Sequence, residues 1–112
     1  MTELEKQFTK DMWNICEQAR IHCKPYNPTY FRNMLTDSQY NNNGVLVAKR
    51  LLTSVNAQEG LASLNWHNRL DLSVEFHVIK SEYAELFTED EKSAAMRRLR
   101  ECNENFLQSY IK

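Results

Sequence analysis

The chain has very few of the residues that make tight turns, since only two of its 112 residues are glycine and two are proline. Average usage would give a chain of this length about eight glycines. Many-stranded folds need turn residues between their strands, and the common nucleotide-binding loops need glycine at fixed spacing. The scarcity of glycine therefore argues against a sandwich or barrel and against a glycine-rich phosphate loop.

The overall composition is that of a soluble globular protein, with 42% hydrophobic residues, 26% charged residues and a formal net charge of −1. Chains of this composition are neither disordered nor embedded in a membrane. The length is enough for one hydrophobic core, so we expect a single domain over residues 1–112. The near-neutral charge argues against a dedicated nucleic-acid-binding protein, which usually carries a clear basic excess.

The N-terminus and the cysteines predict a cytoplasmic protein. The first six residues are polar and acidic, and no apolar run resembles a secretory signal or a membrane span. The three cysteines, Cys16, Cys23 and Cys102, form no C-x-x-C pair and fall on apolar helical positions. Free cysteines of this kind behave as small hydrophobic residues in a reducing compartment. We therefore expect a cytoplasmic protein that makes no contact with a membrane.

Two capping boxes predict where the longest helices begin. Thr2 with Glu5 precedes a stripe of apolar residues and predicts a first helix over residues 3–23. Thr88 with Glu91 starts a second stripe, with acidic residues in the first turn, where the helix dipole favours them. This second box predicts a last helix of about 23 residues.

Shorter helices are expected between these two. Asn27 as the cap and Pro28 as the first helical residue predict the start of the second helix. Residues 44–53 fit a third helix, and another capping box at residues 56–59 precedes a fourth. Residues 66–69 interrupt the helical periodicity and predict a connecting loop.

The segment 70–79 fits two interpretations. Apolar and polar residues alternate from Leu70 to Val78, which by period alone predicts a strand that pairs with residues 45–48 or with a second copy. The segment also begins a helical seam with spacings of four and three, formed by Leu72, Phe76, Ile79, Tyr83 and Leu86. We favour the helix and predict an all-α fold of about five to six helices, with long first and last helices around shorter ones. The alternative is an α+β fold with a short strand at 70–79.

Few residues point to chemistry. The three histidines, His22, His67 and His77, lie in separate segments, and none has the close spacing to cysteine or histidine of a zinc site. No serine or cysteine lies in a motif typical of an activated nucleophile. We therefore predict no catalytic residue, no metal and no cofactor, and keep an enzyme that uses the loop 66–71 as a third hypothesis.

Aromatic residues and arginine in the predicted loops are the candidates for binding a protein partner. Trp66 and Arg69 lie together in one loop, and Tyr26 and Tyr30 flank another. Tryptophan, tyrosine and arginine supply much of the binding energy of protein interfaces. The alternative interpretation is structural, with the aromatic rings packed on the core, Asp71 capping the following helix and Arg69 paired with Asp71 or Glu75.

Basic residues on two predicted helices are the candidates for phosphate contact, namely Lys49, Arg50, Arg97 and Arg100. Arg97 and Arg100 share a helix face, and Arg98 lies off it although it could add to the same basic region. The alternative interpretation is a solvated helix surface whose charges are balanced by acidic neighbours.

Four segments together resemble a small, uncharacterised bacterial helical domain family, found alone or attached to larger proteins and sometimes near mobile-element or defence genes. They are Tyr-Asn-Pro-Thr-Tyr-Phe at 26–31, Gly-Val-Leu-Val-Ala-Lys-Arg-Leu-Leu at 44–52, Arg-Leu-Asp-Leu-Ser-Val-Glu at 69–75 and Glu-Leu-Phe-Thr-Glu at 85–89. The resemblance implies a compact helical domain and a helix at 70–79. It implies no catalytic residues.

These observations lead to two main functional expectations. The first is a cytoplasmic interaction or accessory protein without catalysis, which presents helix faces to a protein partner or to a second copy of itself. The second is a nucleic-acid-associated component of a mobile-element or defence system.

Overall fold

The computed structural model describes residues 2–24, 28–53 and 55–111, with the side chains of 55–59 and 111 excepted. Within these residues the chain is all-α and holds no strand, so the predicted fold class is confirmed and the strand alternative at 70–79 is wrong. Seven α-helices lie in this part of the chain, more than the five to six predicted. They are α1 (Glu3–His22), α2 (Thr29–Thr36), α3 (Gly44–Leu51), α4 (Val55–Trp66), α5 (Val74–Val78), α6 (Glu89–Cys102) and α7 (Glu104–Ile111). Short 3-10 turns lie at Ser38–Tyr40, Leu70–Leu72 and Ser81–Leu86.

Both predicted capping boxes are present. The Thr2 side chain accepts a hydrogen bond from the Glu5 amide at 3.1 Å, and the Glu5 carboxylate accepts one from the Thr2 amide at 2.9 Å. Thr88 and Glu91 make the same exchange at 3.1 and 2.8 Å. Each box satisfies two amide groups that have no partner within the helix, which explains why α1 and α6 begin where the sequence predicts.

The predicted starts of two other helices need correction. Pro28 is the cap residue of α2 rather than its first helical residue, and Asn27 lies outside the described residues. Helix α4 begins at Val55, so Asn56 lies within the helix instead of capping it. Helix α3 begins at Gly44, as predicted, and Asn43 caps it: the Asn43 side chain accepts a hydrogen bond from the Val45 amide at 2.9 Å.

The predicted 23-residue last helix is wrong, because Asn103 divides it into α6 and α7. Asn103 is extended, and its side-chain oxygen accepts from the Phe106 amide at 3.2 Å. Its side-chain nitrogen donates to the Asn65 side chain on α4 at 2.9 Å. The same residue therefore ends one helix, caps the next and ties both to α4.

The ambiguous segment 70–79 is the buried centre of the fold. A 3-10 turn leads into α5, whose first amides are capped by Ser73, with the Phe76 amide 3.1 Å from the Ser73 hydroxyl. Helix α5 packs against α3 and α6. Buried residues lie on nearly every side of the segment, namely Leu70, Leu72, Ser73, Val74, Glu75, His77 and Val78. A short helix that is largely surrounded by protein needs no polar face. The order of apolar and polar residues in its sequence therefore does not show whether the segment is a helix or a strand.

Helices α1 and α3 approach each other most closely at Gly44. The Gly44 amide donates to the Thr9 hydroxyl at 2.8 Å, and a β-carbon at Gly44 would lie 2.8 Å from the Thr9 α-carbon. The obstacle is backbone rather than a flexible side chain. Gly44 is therefore a position that needs the small size of glycine.

We expect Gly44→Ala to lower the free energy of unfolding by about 1–3 kcal/mol, because α1 and α3 must separate to admit the methyl group. Urea denaturation measures the effect. Arg50→Ala is the control on the same helix, since Arg50 is exposed and its loss should change stability by less than about 0.5 kcal/mol. Equal stability of wild type and Gly44→Ala would contradict the close approach.

Candidate functional site

Trp66, the last residue of α4, is the most exposed large hydrophobic residue in the described part of the chain, at 84% of its full exposure. The alternative in which Trp66 packs on the core is therefore wrong. An indole ring that remains in water leaves a large apolar area available for burial by another molecule.

The loop that follows Trp66 is held at several points. The His67 ring lies between two carbonyl oxygens, with Nδ1 2.9 Å from the Ser63 oxygen and Nε2 2.9 Å from the Lys24 oxygen at the end of α1. Asn68 takes a left-handed conformation at φ 58°, which asparagine tolerates, and the Arg69 amide then donates to the Leu64 oxygen at 2.8 Å. A neutral imidazole carries one N–H, so His67 donates to one of these two oxygens at a time. The Arg69 amide bonds the loop to α4, and the His67 ring lies against Lys24, just beyond the end of α1.

Of its two predicted partners, Arg69 pairs with Asp71 and not with Glu75, and the predicted helix cap at Asp71 is wrong because Ser73 caps α5. The Arg69 guanidinium meets the two Asp71 carboxylate oxygens at 3.1 and 3.2 Å, and both side chains are partly exposed. The two charges of this pair balance each other.

Within the described residues, the two candidate tyrosines are not seen to form a group with Trp66. Tyr26 lies outside the described residues. Tyr30 lies on α2 and is 46% exposed, so the prediction that it packs in the core is wrong. Of the predicted partner-binding residues, the described structure brings only Trp66 and Arg69 together in one loop.

The candidate phosphate-binding residues separate into two kinds. Lys49 is engaged, with its ammonium 2.8 Å from the Glu91 carboxylate and over the Phe87 ring. Arg50, Arg97 and Arg100 are exposed and have no ion pair within the ranges that the structure covers.

Arg98 belongs to the interior and not to the basic surface. It is 8% exposed, and its Nη1 donates to the Leu51 carbonyl at 2.9 Å and to the Glu75 carboxylate at 3.2 Å. Burial raises the pKa of the Glu75 carboxyl, and the Arg98 guanidinium opposes that rise. The pair joins α6 to α5 and to the end of α3.

His77 lies on the same short helix as Glu75 and is also buried. Neither of its ring nitrogens has a hydrogen-bond partner among the described residues. Burial, with a smaller contribution from the charge of Lys80, lowers the pKa of His77 to about 4. The ring is therefore neutral at physiological pH, and it fills space in the interior without binding a proton.

A groove that the sequence did not predict lies between α1 and the start of α2. We call it the α1–α2 groove, and its volume is about 80 Å³. Its lining residues are Trp13, Cys16, Glu17, Arg20, Pro28 and Arg32. The helical spacing of Trp13, Glu17 and Arg20 places them on one side of α1, off its apolar stripe, and that spacing is the signal that could have found them.

The two arginines of the α1–α2 groove differ in their pairing. Arg20 is paired with Glu17, with guanidinium nitrogens 2.5 and 3.3 Å from the two carboxylate oxygens. Arg32 is exposed and has no ion pair in the described ranges. Burial raises the pKa of the Cys16 thiol to about 11, so the sulfur stays protonated at neutral pH and is a poor nucleophile.

The described residues hold no group of three or more histidine, cysteine, aspartate or glutamate side chains that could bind a metal ion. A helix long and apolar enough to cross a membrane is likewise not found among them.

Comparison with known proteins reveals no relative: no family model matches the chain, and no curated protein or solved structure matches it significantly. The resemblance to a small bacterial helical domain family therefore stays a prediction.

Proposed function

We propose that the chain is a cytoplasmic protein-interaction module that binds its partner through Trp66. The observation that carries the proposal is the exposed indole at the end of α4, followed by a loop whose Arg69 amide bonds back to the Leu64 carbonyl of that helix. An indole side chain has only two torsion angles, so it loses less conformational entropy than a long flexible side chain when a partner covers it. Tryptophan is also among the residues that most often dominate interface energies.

The surroundings of Trp66 fit the same role. The neighbouring Arg69–Asp71 pair gives a polar rim of balanced charge, as is common around the buried centre of an interface. The three cysteines are free, which is the usual state of cysteine in a reducing compartment. No catalytic role is needed to explain any of these features.

We expect Trp66→Ala to weaken capture of the partner by about 30-fold or more, the loss typical of an interface hot spot of about 2 kcal/mol. The tagged full chain would be cross-linked in host lysate, and light scattering of the pure protein would show whether the partner is a second copy. Because Trp66 is exposed, the substitution should leave the thermal unfolding curve unchanged within about 0.5 kcal/mol.

Leu46→Ala is the matched control, because Leu46 is an exposed apolar residue on α3. It should capture the same partner as wild type. A strictly monomeric protein that captures nothing, or equal capture by Trp66→Ala and wild type, would overturn the proposal.

A nucleic-acid-associated function is the second candidate, and it is favoured by the three exposed arginines without ion pairs in the described ranges, Arg50, Arg97 and Arg100. Binding by such residues should weaken steeply as salt rises, because phosphate contacts release counterions. A low-salt mobility-shift assay should then show binding that falls in the Arg97→Ala/Arg100→Ala variant. No shift at low salt would exclude this candidate.

A further inference from the structure

We propose that the α1–α2 groove binds the carboxylate of an aspartate or glutamate side chain of another protein. The proposal is independent of Trp66, since no residue of the Trp66 loop lines the groove. It depends on the charge, the size and the apolar wall of the groove.

The charge of the lining favours a single negative group. Two guanidinium groups face one carboxylate, which leaves a net charge of +1. The hydrogen bond from Arg20, with a smaller contribution from the charge of Arg32, lowers the pKa of Glu17. The Glu17 carboxylate is therefore ionised and already has Arg20 as its partner. Arg32 is left to pair with an incoming anion, and its planar fork matches a carboxylate with two parallel hydrogen bonds.

The size of the groove favours a side chain over a larger ligand. A volume of about 80 Å³ is well below the roughly 300–1,000 Å³ of sites for drug-sized molecules. Trp13, which is 37% exposed, supplies an apolar wall against which the short methylene stem of an acidic side chain can lie.

The same lining disfavours phosphate. A phosphate group carries close to two negative charges at neutral pH. One of those charges would remain unbalanced beside the Glu17 carboxylate, because Arg20 is already paired. The groove should therefore select a carboxylate over inorganic phosphate.

Fluorescence of Trp13 tests the proposal. The chain has two tryptophans, so the Trp66→Phe variant leaves Trp13 as the only indole and removes the residue of the proposed interaction function. The probe is N-acetyl-glutamate α-amide, which carries one carboxylate, at constant ionic strength. We expect a saturable change in emission with a dissociation constant on the order of 1 mM, which corresponds to about −4 kcal/mol.

Three comparison ligands define the selectivity. N-acetyl-glutamine α-amide lacks the charge, formate has the carboxylate without a carbon stem, and inorganic phosphate carries excess charge. Each should bind at least tenfold more weakly than the glutamate compound. Equal binding of any one of them would overturn the assignment to an acidic side chain.

Arg32→Gln should weaken binding of the glutamate compound at least tenfold. Arg50→Gln is the matched control, because Arg50 is also an exposed arginine without an ion pair among the described residues, and it lies on α3 outside the groove. Unchanged binding in Arg32→Gln, or no saturation in the Trp66→Phe parent, would overturn the proposal. Circular dichroism confirms that each variant is folded, and the exposure of Arg32 makes unfolding an unexpected result.

Discussion

Replacing Arg98 with methionine should lower the free energy of unfolding at pH 7 by about 3–5 kcal/mol. The substitution removes the guanidinium that donates to Glu75 and to the Leu51 carbonyl. The Glu75 carboxyl, itself only 3% exposed, would then be buried without its cation. Removing one member of a buried ion pair destabilises a protein far more than the intact pair stabilises it, because the remaining charge is neither solvated nor balanced.

Two further variants separate this explanation from a loss of packing. Arg97→Met changes the exposed neighbour on the same helix and should shift stability by less than about 0.5 kcal/mol. The double variant Glu75→Leu/Arg98→Met removes both charges and should recover much of the stability lost in Arg98→Met. Chemical denaturation of the four proteins measures the effect. Similar curves for Arg98→Met and Arg97→Met would contradict the buried pair.

Acid should destabilise the protein through His77 well before its surface carboxylates are fully protonated. The pKa of His77 is about 4 in the folded protein, against about 6.5 for histidine in an unfolded chain. Between these values the unfolded chain binds the proton and the folded protein does not, so stability falls as the pH falls. The stabilisation that comes from keeping His77 neutral is fully present above pH 6.5. About 3 kcal/mol of it is lost by the time the pH has fallen to about 4.

The charges near His77 act in both directions. Lys80 lowers its pKa, and Asp11 and Asp71 raise it, but burial has the largest effect. Glu75 opposes the trend, because burial raises its pKa and the folded protein then holds that proton more tightly. The contribution of His77 is therefore obtained from the difference between wild type and His77→Gln. We expect wild type to lose stability more steeply than His77→Gln from pH 6.5 to 4, and parallel profiles would contradict the account.

The long-range pair of Glu75 and Arg98 shows where prediction from this sequence ends. The two residues lie 23 positions apart. Arg98 lies next to Arg97 and near Arg100, which are surface charges, and Glu75 is a polar member of an alternating apolar and polar segment. Arg98 differs from Arg97 and Arg100 only in its helix face, which the sequence places off theirs without showing that it points inward. Secondary structure is local, whereas the burial of a charge depends on which segments surround it.

The helices themselves are better predicted, because their signals are local. The capping boxes at Thr2 and Thr88 depend on contacts between residues three positions apart, and both are confirmed. The break at Asn103 is not predicted because the apolar stripe continues across it through Cys102 and Phe106, although the bond from the Phe106 amide to the Asn103 side chain is local. The bond of Asn103 to Asn65 on α4 depends on packing. The segment 70–79 is ambiguous because most of its side chains are buried, so it lacks the continuous polar face that marks an ordinary helix.

The candidate site was predicted only in part. Trp66 and Arg69 were identified by residue type, but type alone could not decide between core and surface, and only Trp66 proved to be an exposed aromatic anchor. The α1–α2 groove combines residues of two helices, so its members have no common sequence motif. Its existence depends on how α2 lies against α1, which is a property of packing.

Oxidative footprinting of the affinity-isolated complex tests most directly whether Trp66 is the interaction residue. Hydroxyl radicals modify exposed indoles, and Trp66 and Trp13 are the two tryptophans of the chain. In the free protein Trp66 should react faster than Trp13, in keeping with exposures of 84% and 37%. In the complex, or in the self-associated protein, oxidation of Trp66 should fall at least fivefold while that of Leu46 stays the same. Undiminished oxidation of Trp66 in the complex would contradict the account.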